Sequence, residues 1–210
     1  MARTKPEQPP HIHGRIGNVV ASTWRGIPYL RTLPAHVKNP RTPPQQAQRT
    51  RFSMALSLLR PLTPVLRVGF REEAVRQSAF NAAMSYTMRH ALKETAEGIE
   101  VNYRNVWISQ GCLTGAAEAR AVPEDGKVVF TWNNRSDIEN ASPRDYALLA
   151  VIHKPTQEAV CETIGALRCE GRAELDYPRK WRTEDLAIYL GFGNPKKGIA
   201  SISECLWDGE

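Results

Sequence analysis

The sequence lacks the short motifs that mark the common enzyme classes. It has no G-x-x-x-x-G-K-[ST] loop, no G-x-S-x-G elbow and no H-E-x-x-H helix, which argues against phosphate-transfer, serine-hydrolase and zinc-protease chemistry. His90 and His153 have no candidate catalytic partners nearby in the sequence. We therefore predict a protein that is not an enzyme and needs no cofactor. The alternative is an active site assembled from residues that are distant in sequence.

Cysteine is scarce, and its spacing argues against a zinc site. The four cysteines include no C-x-x-C pair and have no paired histidines nearby, whereas structural zinc sites need several such ligands at short spacing. We predict no metal site and interpret the cysteines as free thiols on strands in a reducing compartment. A disulfide would require an oxidising one. The residues concerned are Cys112, Cys161, Cys169 and Cys205.

Long apolar runs are also missing. No segment approaches the roughly 18 apolar residues that a membrane-spanning helix needs. The N-terminal stretch MARTKPEQPPHIHGR carries charge but lacks the apolar centre of a secretory signal. These absences predict no membrane association and a cytoplasmic location.

Acidic residues are almost absent from the first third of the chain. Residues 1–71 contain 12 Lys and Arg but only one acid, Glu7, while the remaining 139 residues contain 16 bases and 21 acids. Such an imbalance predicts an anionic partner for the basic part, either nucleic acid or an acidic protein surface. The second possibility includes a homo-oligomer, in which the basic and acidic parts of neighbouring copies attract each other.

The first half of the chain predicts a β-hairpin followed by three helices. β-forming residues alternate over 19–31 around a turn at Arg25-Gly26, which is typical of a hairpin. Thr-Pro pairs at residues 42–43 and 63–64 are helix-start signals, and residues 72–93 predict a third helix. In the first helix, the spacing of four apolar residues indicates one buried face. These residues are Phe52, Ala55, Leu56 and Leu59.

From Val101 onward the hydrophobic period changes to two, which predicts strands. The predicted strands are 103–109, 127–132, 146–153, 158–163, 171–177, 186–192 and 199–206. Short strands separated by regular turn signals indicate an antiparallel β-sandwich. Trp132 and Tyr189 resemble the core pair of fibronectin-type-III-like sandwiches.

These patterns predict an α+β protein in three segments. Residues 1–13 form a disordered tail, because they are rich in proline and polar residues. Residues 14–98 form the basic hairpin with the three-helix subdomain. Residues 99–210 form the fibronectin-III-like antiparallel β-sandwich.

The basic residues around the hairpin and the first helix are the candidate ligands for nucleic-acid phosphates. Trp24 and Tyr29 beside arginines form the aromatic and basic mixture that stacks bases and neutralises phosphates, although the same residues would also serve as cross-strand pairs. A helix start at Thr42 offers free amides to a phosphate. The candidate binding residues are Arg25, Arg31, Lys38, Arg41, Arg49 and Arg51.

The stretches GRIGNVVASTWRGIPYLR, VKNPRTPPQQAQRTRF and AFNAAMSY resemble an uncharacterised family from Bacteroidota that shares a domain of unknown function. In that family a basic hairpin precedes a K-N-P-R-T-x-x-Q-x-x-Q-R motif, helices and a β-sandwich. A similar N-P-x-T-x-x-Q pattern is found in phage-encoded proteins. The resemblance implies a fold and a bacterial or phage setting, with a virion-associated location if the protein is phage-encoded. It implies no activity and no catalytic residues.

Three functional hypotheses follow from the charge and the architecture. The first is a non-enzymatic protein whose basic N-terminal third contacts nucleic acid with little sequence specificity. The second is a structural or assembly protein, of a phage virion or an oligomeric scaffold, whose basic arm docks on an acidic subunit face. A carbohydrate-binding sandwich is a more distant third.

Overall fold

The computed structural model describes residues 13–24, 27–36, 41–95, 98–134, 140–194 and 196–209. The chain divides into two compact units, Met1–Gln45 and Gln46–Glu210. The division falls between the predicted hairpin and most of the first helix. All but the last residue of the predicted tail lies outside the described residues, as do Arg25 and Lys38.

Helices and antiparallel sheets together establish the α+β class. In the described residues the helices are α1 (Pro43–Leu59), α2 (Thr63–Gly69) and α3 (Ala79–His90). The first six strands are β1 (Gly14–Ile16), β2 (Val19–Trp24), β3 (Ile27–Thr32), β4 (Leu92–Thr95), β5 (Gly98–Val101) and β6 (Ala117–Glu124). The others are β7 (Lys127–Asn133), β8 (Tyr146–His153), β9 (Glu158–Glu162), β10 (Arg172–Asp176), β11 (Leu186–Asn194), β12 (Ile199–Ala200) and β13 (Glu204–Trp207).

The first unit contains a three-stranded antiparallel sheet in the order β1-β2-β3. The predicted hairpin corresponds to β2 and β3, and β1 adds a short third strand. The β1–β2 turn contains Gly17 at φ 57°, a left-handed conformation that glycine adopts without steric cost. Every residue of β1 and β3 is exposed, and only Ala21 of β2 is buried.

The second unit is built around two sheets that share a hydrophobic core. One sheet has the order β12-β11-β8-β9, with β13 also paired to β11, and the other has the order β10-β7-β6. Side chains of both sheets, among them Phe130, Leu149, Leu175 and Ile188, lie in this common core. Alternate residues of a strand point to opposite faces, so β8 and β11 also present a second apolar face.

The helices cover that second face of the five-stranded sheet. Leu148 and Ile152 of β8 pack in one cluster with Leu59 of α1, Leu66 of α2 and Ala83 of α3. Strand β8 is buried at every position from Ala147 to Ile152 because both of its faces are covered. The continuous apolar runs YALLAVIH and LAIYLGFG are therefore the sequence signature of a middle layer.

Trp132 and Tyr189 do not form the predicted core pair. Trp132 contacts Phe192 edge to face, with ring centroids 5.5 Å apart, in the core between the two sheets. Tyr189 lies in the core beneath the helices and donates a hydrogen bond to the Tyr103 carbonyl at 2.7 Å. Strand β11 is buried on both faces, so a residue of β11 can face the helices as readily as the other sheet.

The predicted helix over residues 72–93 is shorter in the structure. α3 begins after Ser78, whose hydroxyl accepts a hydrogen bond from the Asn81 N–H as an N-cap. Its last predicted residues belong instead to β4, which pairs with β5 as a hairpin. Of the predicted buried face of α1, Ala55 and Leu59 are buried, whereas Phe52 and Leu56 are 49% and 39% exposed and Leu58 is buried instead.

The segment 103–109 is not a strand. It forms a 3-10 turn at Tyr103–Asn105, and the Ile108 N–H then donates to the Ser203 hydroxyl at 2.9 Å. Its apolar residues fill the core beneath the helices without a ladder partner. Conversely, β6 was not predicted, because AEARAVPE contains charges and a proline that suit only a sheet edge. The predicted strand 199–206 is divided into β12 and β13.

A buried arginine connects the loops at one end of the two sheets. The Arg168 side chain is 1% exposed and forms an ion pair with Asp145 at 3.2 Å. It also donates to the carbonyls of Thr114 (2.6 Å) and Gly115 (2.9 Å) and lies 3.8 Å above the centre of the Phe192 ring. Burial lowers the pKa of Arg168, and the Asp145 carboxylate opposes that shift.

Asp145 is itself fully bonded. Its second carboxylate oxygen accepts from the Asn194 side-chain amide at 2.8 Å, and the Ser142 N–H donates to the oxygen shared with Arg168. Asp145 and Arg168 are buried, and Ser142 and Asn194 at the edge of the network are half-buried. The network serves the fold rather than a ligand.

The C-terminal end of α2 makes a close backbone approach at Gly69. A Cβ atom at this position would collide with the Ile108 carbonyl oxygen and lie 2.7 Å from the Ser109 Cβ. The Gly69 carbonyl in turn accepts a hydrogen bond from the Gln110 N–H at 2.9 Å. Glycine is therefore needed here for space.

Candidate nucleic-acid interface

The three-stranded sheet collects basic and aromatic side chains on one face. Residues that lie directly opposite each other in an antiparallel pair project from the same side. Val20 of β2 is opposite Arg31 of β3 and Arg15 of β1. Both arginines therefore project from the side on which Val20 lies.

The same side continues along β2 and β3 with two aromatic rings. Ser22 is opposite Tyr29, and Trp24 is opposite Ile27. Because Val20, Ser22 and Trp24 alternate along one strand, both aromatic residues share the side of the arginines. We call this surface the arginine–aromatic face: Arg15, Trp24, Tyr29 and Arg31.

The rings of this face are open to solvent. Trp24 is 53% exposed and Tyr29 is 41% exposed. Arg15 donates through Nε to the Gly17 carbonyl at 2.9 Å, which fixes its guanidinium beside the β1–β2 turn. No acidic residue occurs between Glu7 and Glu72 in the sequence. Apart from Glu7, the first unit therefore contains no acid that could neutralise the positive charge of the face.

The opposite side of the sheet is apolar. Ile16 is opposite Val19, and Ala21 is opposite Leu30. Ile16 and Leu30 are 75% and 67% exposed, which is high for large aliphatic side chains. We call this surface the aliphatic face: Ile16, Val19 and Leu30.

The predicted ligands do not all belong to the arginine–aromatic face. Arg31 lies on it, while Arg41 is exposed just before α1 and Arg49 is exposed on α1. Arg51 forms an ion pair with Glu94 at 2.6 Å and donates to the Met88 carbonyl at 2.8 Å. Its side chain is 22% exposed, so Arg51 is committed to contacts within the protein.

Arg15 was not among the predicted ligands. Its place depends on β1, a strand of three residues that the hydrophobic pattern did not reveal. The available signal was the Gly17-Asn18 pair, a turn dipeptide that follows Gly14–Ile16 and precedes the alternating residues of β2. With that turn assigned, the register places Arg15 beside Val20.

The cysteines are free thiols in the structure. Cys161 and Cys205 lie on strands, whereas Cys112 and Cys169 do not. The hydrogen bond from Cys112 Sγ to the Glu72 carboxylate, at 3.4 Å, raises the pKa of that thiol, as burial raises the pKa of Cys205 to about 11. Neither thiol has the lowered pKa of an activated nucleophile.

The described part of the chain contains neither a metal-binding cluster nor a membrane-spanning helix. Among these residues no group of three or more His, Cys, Asp or Glu side chains is placed to hold a metal ion. No helix within the same ranges is long and apolar enough to cross a membrane.

Comparison with known proteins gives one result. A family model described as a family of unknown function (DUF6266) matches residues 11–203. The match includes the whole three-stranded sheet and nearly all of the second unit. No curated protein and no solved structure matches the chain.

Proposed function

The chain belongs to this family of unknown function, and we propose that it binds single-stranded nucleic acid through its arginine–aromatic face, with little sequence specificity. The observation that carries the proposal is the shared side of Arg15, Arg31, Trp24 and Tyr29 on one exposed sheet. Arginines neutralise phosphates, and exposed rings stack on unpaired bases. The two kinds of contact together are typical of single-strand binding.

The form of the sheet supports a single-stranded rather than a double-stranded ligand. Bases inside a duplex are already stacked on one another, so the exposed rings of the protein have few free base surfaces to stack on. Among the described residues, the face presents two arginines beside its rings and no row of amide and carboxylate side chains that could read base edges. Binding should therefore depend on strandedness and salt more than on sequence.

The experiment is a fluorescence-anisotropy titration with unstructured oligonucleotides and a duplex of the same length, repeated at several salt concentrations. The Arg15→Ala/Arg31→Ala variant should lower the magnitude of the salt slope by about 1 to 1.5, as expected when two single-strand phosphate contacts are lost. The Trp24→Ala/Tyr29→Ala variant should weaken binding by about tenfold or more with the salt slope unchanged.

The matched control removes two arginines from exposed positions elsewhere. Arg120 and Arg144 are exposed in the second unit, so the Arg120→Ala/Arg144→Ala variant changes the net charge by the same amount. It should bind like the unsubstituted protein. If the control lost as much oligonucleotide affinity as the variants of the arginine–aromatic face, net charge alone would explain the binding. That result would contradict the proposal.

The aliphatic face favours a second candidate function, that of an assembly protein. Exposed aliphatic side chains in one patch mark a surface that meets another protein, and Ile16 and Leu30 are such side chains. In this case the basic arm docks on an acidic face of a neighbouring subunit. A mass measurement in solution distinguishes the two, because the Ile16→Ser/Leu30→Ser variant would then dissociate an oligomer without changing oligonucleotide binding.

The setting is part of the same proposal. We place the protein in a bacterium of the Bacteroidota or in one of their phages, in the cytoplasm or in a virion, where it acts by binding and not by catalysis. The absence of the common catalytic motifs from the sequence supports a binding role. We also propose that the two packed sheets form a fibronectin-III-like sandwich.

A further inference from the structure

The second unit contains a cavity of about 500 Å³ beside α3 that is open to solvent on one side, where Glu73 and Arg89 are exposed. Its walls come from α3, from the segment that precedes α3 and from the loop that follows residue 106. The lining includes two aromatic, two charged and two amide side chains: Tyr86, Trp107, Glu73, Arg89, Gln77 and Gln110. The volume falls within the range of small-molecule sites.

One wall of the cavity is aromatic. Tyr86 stacks on Trp107 with ring centroids 4.1 Å apart and planes at 14°, and His90 packs against Tyr86 at 4.7 Å. Tyr86 and Trp107 are half-buried, and burial raises the pKa of Tyr86. The stack holds both rings in fixed positions, so it offers a preformed apolar surface to a ligand.

The cavity also contains one negative and one positive group that do not neutralise each other. Arg89 donates to the carbonyl and the hydroxyl of Ser85, at 3.0 and 3.2 Å, which fixes its guanidinium at the wall. Among the described residues neither Arg89 nor Glu73 has an ion-pair partner within 4.0 Å. The two charges are therefore separated and both remain available to a ligand.

We propose that this cavity binds a zwitterion, an α-amino acid or short peptide with an aromatic side chain. Its ammonium group meets Glu73, its carboxylate meets Arg89 and its ring packs on the Trp107–Tyr86 wall. The amides of Gln77 and Gln110 offer donors and acceptors to a peptide group. A nucleotide would bring excess negative charge to Glu73, and a neutral sugar would leave both charges unused.

The experiment is isothermal titration calorimetry of the full chain with L-phenylalanine and glycyl-L-phenylalanine. The controls are N-acetyl-phenylalanine, which lacks the ammonium, phenylalaninamide, which lacks the carboxylate, and glucose. Each capped ligand should bind about tenfold or more weakly than the zwitterion, since it loses one charge-assisted hydrogen bond. Binding should quench Trp107 fluorescence, and the Trp107→Phe variant should lose that change.

Variants assign each charge to its partner. The Glu73→Gln variant should lose the preference for a free ammonium while keeping the preference for a free carboxylate, and Arg89→Gln should do the reverse. Ser85→Trp fills the cavity from an exposed position and should abolish binding. Thermal unfolding of each variant checks that the fold is retained.

Three outcomes would overturn the proposal. They are an absence of binding by both zwitterions, equal binding of free and capped ligands, and binding of glucose in their place. Because the site lies wholly in the second unit and uses none of the oligonucleotide ligands, its outcome is independent of the nucleic-acid proposal.

Discussion

The two units use the same residue type in opposite ways. In the second unit Arg168 is 1% exposed and bonded on every side, to Asp145, to two backbone carbonyls and to the Phe192 ring. In the first unit Arg31 stands on an exposed strand with no acid in the sequence around it. The partners of Arg168 lie within the protein, so its loss would leave a buried charge unpaired, whereas Arg31 lies on a surface that a binding partner can reach.

The contrast extends to apolar residues. The central strands β8 and β11 are buried on both faces, while in the first unit β1 and β3 are exposed throughout and only Ala21 of β2 is buried. A substitution should therefore change the free energy of unfolding strongly in the second unit and weakly in the first. The reverse order should hold for binding of an oligonucleotide.

The largest effect on stability should come from the Arg168→Met variant. It leaves the buried Asp145 carboxylate without its cation and removes the Arg168 hydrogen bonds to two carbonyls, which should cost about 3–5 kcal/mol of unfolding free energy. Urea denaturation followed by tryptophan fluorescence measures it. The matched control is Arg172→Met, because the Arg172 side chain is 60% exposed and should lose less than about 1 kcal/mol. Equal losses would contradict the difference drawn here.

The Gly69→Ala variant should come next. The added methyl group meets the backbone at Ile108 and Ser109, so α2 or that loop must shift, at a cost of about 1–3 kcal/mol. The same denaturation measurement checks it. Gly115→Ala is the control, because a Cβ there would lie 3.6 Å from its nearest neighbour, and a loss as large as that of Gly69→Ala would show that close approach is not the cause.

The Arg51→Gln variant tests whether Arg51 serves the fold or binds an oligonucleotide. Its ion-pair partner Glu94 is 69% exposed, so the pair should contribute less than about 1 kcal/mol to stability. If Arg51 acts within the fold, oligonucleotide binding should be unchanged in this variant. A weaker salt dependence of binding would instead return Arg51 to the ligand set.

The smallest effect on stability should come from Leu30→Ser. Its side chain is 67% exposed, and surface substitutions of this kind usually change the unfolding free energy by about 0.5 kcal/mol or less. Thermal unfolding at several protein concentrations measures it. A large, concentration-dependent fall in Tm would show that another copy covers the aliphatic face.

The sequence pattern predicted best those strands in which the order of apolar and polar residues matches the burial of the side chains. β8 was predicted with its observed bounds, and β7, β9, β10 and β11 were predicted to within two residues. Continuous or alternating apolar runs determine burial in such strands, whatever their neighbours are. The helix starts at Pro43 and Thr63 could also be predicted, because a proline and the residue before it are a sufficient local signal.

What the sequence could not provide were features that depend on contacts between distant segments. The burial of Leu58 rather than Leu56 on α1 depends on where the five-stranded sheet lies. The loss of a strand over 103–109 depends on Ser203 as a partner. Likewise, Arg15 joins Arg31 only through the register of three strands. Site residues gathered by register are therefore invisible to a motif search.

The pairing of β8 with β11 has a consequence for the order of events in folding. These strands match residue for residue from Leu186–His153 to Gly193–Tyr146, yet β9 and β10 lie between them in the chain, and β10 pairs in the other sheet. The central strands of the second unit can therefore pair only after a long loop has closed, which makes their pairing slow. In hydrogen exchange the amides of β8 and β11 should be the last to exchange, opening only with global unfolding, while those of β1 to β3 should exchange first.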